Sequence, residues 1–131
     1  MRQFLRIRGL PLLGMLAALV FAGCATSGPA TEVAPGSGPI VIQAGDFSFA
    51  PAVLHMKGAG TVTLRISNDS GTEHNFTLKD PAGKVIASVE LPPKQATTVA
   101  ANLAAPGSYT FDCNKPLHAT LGMKGRIVVT M

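Results

Sequence analysis

The sequence predicts an all-β domain, a β-sandwich of seven or eight short strands in two packed sheets. Three observations carry this reading. Apolar and polar residues alternate with period two in one stretch after another, short clusters of Gly, Pro, Asn and Asp separate the stretches, and no apolar face recurs at helical spacing over any length. There is no internal repeat.

A segment of different character precedes the strands. Arg2, Arg6 and Arg8 lead into an apolar run over residues 10–22, broken by Pro11 and Gly14 and followed by the small Gly23. The run is short of the roughly 20 residues a membrane-spanning helix needs. It reads as a secretory signal over residues 1–23, so the chain is expected to be exported. "FAGC", residues 21–24, resembles the lipobox of bacterial lipoproteins, although Phe21 stands where Leu is usual. That resemblance implies cleavage before Cys24 and a lipid on its sulfur, with ordinary cleavage nearby and a free Cys24 as the alternative.

Loss of the signal removes three of eleven basic residues and leaves eight against seven acidic ones, a net charge of about +1. No basic stretch survives to suggest a nucleic-acid partner. Residues 24–38, rich in Pro, Gly, Ser and Thr, cannot bury a core and read as a flexible tether. The folded domain is expected over residues 39–131, enough for one sandwich core.

Its strands follow in order. "PIVIQA" (39–44) and "FSFAPAVLHM" (47–56) come first, with Phe47 and Phe49 expected in the core and His55, which alternates against Leu54 and Met56 and has no donor neighbours, expected as a half-exposed non-ligand. "TVTLRIS" (61–67) alternates strictly, turning Val62, Leu64 and Ile66 to one face. "HNFTLK" (74–79), "KVIASVEL" (84–91), "QATTVAANL" (95–103), "GSYTFDC" (107–113) and "GRIVVTM" (125–131) complete the set. Turn signals divide them at Gly58 and Gly60, at Asn68-Asp69-Ser70-Gly71, at Asp80-Pro81-Ala82-Gly83, at Pro92-Pro93 and at Pro106-Gly107.

The alternation also locates the chemistry. His74 shares a face with Phe76 and Leu78, and Cys113 shares one with Tyr109 and Phe111, so both donors point inward at strand ends. The loop after Cys113 adds His118 and Met123. Singly, each has a plainer reading: a core histidine, a small buried thiol, a gap-filling methionine, or a disulfide from Cys113 to Cys24. Together they form a donor set. A thioether is a poor zinc ligand, whereas two imidazoles and a thiolate with a weak axial methionine suit one copper ion of the blue, type 1 kind.

With His74-Asn75, then Cys113, His118 and Met123 ahead of "GMKGRIVV", the domain resembles the cupredoxins, small blue copper proteins of the plastocyanin, azurin and auracyanin kind. The interval from Cys113 to His118 is similar to that of azurin, and the interval from His118 to Met123 to that of plastocyanin. The resemblance implies a Greek-key β-sandwich, a hydrogen-bonding role for Asn75 that ties its strand to the ligand loop, help from Asn114 at the same corner, and one fewer donor to the sulfur at Pro116, which has no N–H. It also implies that the His118 edge reaches the surface within an apolar patch that includes Leu117 and Leu121.

Four protein donors leave no open position for substrate, so the expected role is non-enzymatic: a monomeric, membrane-tethered carrier of single electrons between redox protein partners, in the periplasm or at the cell surface. The alternative is copper delivery or storage. Extra histidine pairs such as HxH or HCH, which oxidase-type enzymes need, are absent from the sequence.

Overall fold

The computed structural model describes residues 30–131, so the signal expected over residues 1–23, Cys24 and the start of the tether lie outside the described residues. Among the described residues ten strands are formed: β1 (Thr31–Val33), β2 (Ile40–Ala44), β3 (Phe49–Ala50), β4 (Val53–Lys57), β5 (Gly60–Asn68), β6 (His74–Lys79), β7 (Val85–Leu91), β8 (Ala96–Leu103), β9 (Gly107–Asp112) and β10 (Lys124–Thr130). They make a six-stranded sheet, ordered β1-β4-β10-β9-β6-β7, and a four-stranded sheet, ordered β3-β2-β5-β8. No helix occurs among the described residues. The fold class is the one the sequence predicts.

Period-two alternation does its work strand by strand. On β5, Val62, Leu64 and Ile66 are buried while Thr61 and Arg65 face out. Across from them, Leu54 and Met56 of β4, Phe76 and Leu78 of β6, Tyr109 and Phe111 of β9 and Ile127 and Val129 of β10 fill the core. Each such side chain contributes about 1.5–3 kcal/mol on leaving water. Phe49, Phe76 and Phe111 meet with ring centroids 5.1–5.7 Å apart, directly beneath the ends of β6 and β9. Gly125 is required beside them, because a Cβ there would collide with the Phe111 ring and the Ala52 carbonyl.

Two expectations are corrected. The stretch over residues 47–56 is not one strand: Pro51 has no N–H for a ladder, and β3 ends before it while β4 starts after Ala52. Phe47 therefore lies ahead of β3, off the strand, and is 46% exposed instead of sitting in the core. The tether also gives way earlier than residue 39. Thr31–Val33 pairs in parallel with β4, Thr31 opposite Leu54 and Val33 opposite Met56, and Val33 packs on the core. The bonds of this strand are backbone bonds, which composition does not reveal.

One end of the six-stranded sheet gathers the chemistry. β9 runs antiparallel to both β6 and β10, so the start of β6, the end of β9 and the start of β10 lie together.

Candidate metal centre

His74 opens β6 and Cys113 follows β9, each fully buried, as their alternation requires. The loop between Cys113 and Met123 folds back on itself. His118 N–H donates to the Lys115 carbonyl at 3.2 Å, Leu121 N–H to Leu117 at 2.9 Å, Met123 N–H to His118 at 2.9 Å, and Cys113 N–H to Met123 at 3.1 Å. The last two bonds set Met123, which is also fully buried, against both other loop ligands. Positive φ at Leu117 (67°) and Gly122 (113°) makes the reversals that this compact loop needs.

The donor atoms converge. His74 Nδ1 lies 3.0 Å from His118 Nδ1, and Cys113 Sγ lies 4.0 Å from the first and 3.5 Å from the second. Donors bonded to one ion at about 2.0 Å for nitrogen and about 2.3 Å for sulfur stand about 3–4 Å from one another, so the three fit around a single ion. Among the described residues these three form the one such cluster of His, Cys, Asp and Glu side chains. His55 stays outside it, half-buried on β4.

Burial first, then the charges of His118 and Lys115, hold the pKa of His74 below the usual histidine value, with Asp46 acting in the opposite direction. A neutral imidazole is the form a metal needs.

The surrounding contacts hold the ligands in place. Asn75, 4% exposed, accepts the Asn114 N–H at 2.8 Å through Oδ1, and its Nδ2 donates to the Asn114 side chain. This clamps β6 to the residue after Cys113. Pro116 stands exposed in the loop, where it has no N–H to offer the sulfur. Lys115 reaches Glu73 at 2.8 Å and Glu90 at 2.9 Å, and these two carboxylates, Glu73 first, raise its pKa.

Sequence reasoning missed three participants. Lys115 pins the loop, Phe47 lies edge-on to His118 with centroids 5.3 Å apart, and Ser70 Oγ lies 2.9 Å from His74 Nε2. For Ser70 a signal existed: it stands four residues before His74 in a stretch read only as a turn.

Three of the four donors are fully buried. His118 is half-buried, and around it Leu117 (71%), Leu121 (58%) and Phe47 (46%) are exposed.

A sandwich carrying His74, Cys113, His118 and Met123 at one end defines a mononuclear site of the type 1 copper kind. Residues 13–129 match the family described as the cupredoxin-like domain, and the chain belongs to that family. No curated protein sequence matches it. Among solved structures it is similar to a dithionite-reduced auracyanin from Roseiflexus castenholzii, with 23% identity over 71% of this chain and 97% of that one and a TM-score of 0.64. It is also similar to auracyanin A, a "blue" copper protein from Chloroflexus aurantiacus, with 25% identity over 71% of this chain and 100% of that one and a TM-score of 0.60. Reduced rusticyanin shares 21% identity over 76% of this chain and 84% of that one, with a TM-score of 0.58.

Proposed function

We propose that the protein is a single-electron carrier, exported and held at a bacterial membrane by lipid on Cys24, that cycles copper between Cu(I) and Cu(II) and catalyses no reaction of its own. The observation that carries this reading is the closure of the site. Cys113, His74 and Met123 are fully buried, and the lone half-buried ligand, His118, has its surroundings filled by Phe47, Leu117 and Leu121. A substrate has no position to enter, whereas an electron needs none.

Copper, when bound, supplies the redox couple. The chain's residues do the rest: the clamp from Asn75 to Asn114 and the pinning of Lys115 hold the donors, which resists rearrangement between the two oxidation states. The route outward is His118, because tunnelling falls steeply with distance and, of the four donors, its ring alone is not fully buried. The exposed apolar residues around it, Phe47, Leu117 and Leu121, offer a contact for a redox partner, and weak redox encounters need only small ones.

A reductive and oxidative titration of the copper-loaded protein, with copper content measured after each cycle, tests this. Repeated reversible cycling with the metal retained is expected. One-way release of copper to an acceptor on reduction would replace the carrier with copper delivery.

A further inference from the structure

The turn between β5 and β6 holds a buried chain of hydrogen bonds that ends on His74. It begins at Asn68, 1% exposed at the end of β5. Its Nδ2 is ringed by carbonyls, donating to Thr72 and Leu91 at 2.8 Å each, with Pro92 at 3.2 Å. All three neighbours are acceptors, which suits the two hydrogens of an NH₂ group and not a carbonyl oxygen, so the amide has one orientation and Oδ1 faces Ser70. There Oδ1 accepts the Ser70 N–H at 3.0 Å and lies 2.9 Å from Ser70 Oγ.

Ser70 has a single hydroxyl hydrogen. Asn68 Oδ1 and the Thr72 carbonyl, 3.0 Å away, both lie in position to take it. The lone pairs of Oγ then face Thr72 N–H, which donates at 3.2 Å, and His74 Nε2, 2.9 Å away.

We propose that Ser70 is the positioning residue that selects the tautomer of His74: its Oγ accepts the Nε2 proton and leaves the Nδ1 lone pair aimed at Cys113 and His118. A neutral imidazole carries one proton, so placing it on Nε2 bares Nδ1, the atom 3.0 Å from His118 Nδ1. With the proton on Nδ1 instead, an N–H would fill the place of the metal bond. The device also spans the sandwich, since Asn68 belongs to the four-stranded sheet while His74 and Leu91 belong to the six-stranded one. The metal-side geometry of His74 is thus fixed before any metal arrives.

The test reads the tautomer in the metal-free protein, by ¹⁵N-labelled histidine and long-range proton–nitrogen correlation, and separately the copper affinity, by competition with a chelator. The wild type is expected to show His74 protonated at Nε2. Ser70→Ala keeps the backbone N–H bonded to Asn68 but removes the acceptor; it should lose that tautomer and bind copper roughly tenfold or more weakly, the range that loss of such outer partners costs. Ser70→Thr, which keeps an Oγ, should retain both properties. An Nδ1–H tautomer in the wild type would overturn the proposal, as would an unchanged tautomer or an unchanged affinity in the Ala variant, or a Thr variant as impaired as the Ala one. Should the Ala variant not fold, the wild-type tautomer and the Thr variant decide. Because the tautomer is read without copper, its outcome is distinct from any failure of the electron-carrier reading.

Discussion

Asn75→Ala is expected to loosen the joint between β6 and the ligand loop. The side chain is buried and makes two bonds to Asn114, one to its backbone N–H and one to its side chain. Each buried bond contributes about 0.5–1.5 kcal/mol, and the orphaned Asn114 N–H adds a desolvation cost of the order of 1 kcal/mol. The expected loss is about 2–3 kcal/mol. For a domain of this size that corresponds to a fall in Tm of roughly 10–20 °C. Asn114→Ala is the internal control: the bond from its backbone N–H to Asn75 survives, while the side-chain bond from Asn75 Nδ2 and a longer one to Thr77 Oγ1 are lost, so about 1–1.5 kcal/mol should be lost. Thermal unfolding of both metal-free variants, followed by circular dichroism, makes the comparison. If Asn75→Ala lost no more than Asn114→Ala, the bond to the backbone N–H would not be the one that holds the loop.

Cys113→Ser should abolish the intense visible charge-transfer band of the Cu(II) protein, read by absorption, and a variant of equal colour would remove Cys113 from the ligand set. Leu121→Lys places a charge on the exposed rim of His118, 58% exposed in the structure, and should slow the bimolecular rate with a purified redox partner while spectrum and potential stay nearly constant. Cys24→Ala should leave the protein unprocessed or in the soluble fraction, as judged by fractionation, since attachment of a processed variant would exclude a lipid on that sulfur. The metal-free protein should lose stability to denaturant as pH falls below about 6.5, because folded His74, with its pKa lowered, binds fewer protons than the unfolded chain; the loss should level off below the folded value. A flat profile through that window would mean that His74 titrates alike in both states.

The sandwich was legible because burial on one face imposes period two, and the copper donors because Cys113, His118 and Met123 crowd a single loop whose chemistry has few alternatives. Legibility failed where side chains act away from a strand. Phe47 and Phe49 look equivalent by alternation, yet β3 includes only the second, and off the strand parity has no meaning. Ser70 read as a turn residue through its backbone preference, which is silent about where its hydroxyl points. β1 is a three-residue strand of Thr, Glu and Val, held by backbone bonds that no composition signals.

That short first strand also sets a length. Because β1 is parallel to β4, and β4 to β10, β1 starts towards the same end of the sheet as the ligand loop. Only residues 25–30 separate Thr31 from Cys24, a leash of at most about 25 Å fully extended. With the lipid proposed for Cys24, the copper end would ride close above the bilayer, its swing confined to a shallow cap. Partners embedded in that membrane would meet a high local concentration of the carrier, while one diffusing far from it would have to come to the surface to be served.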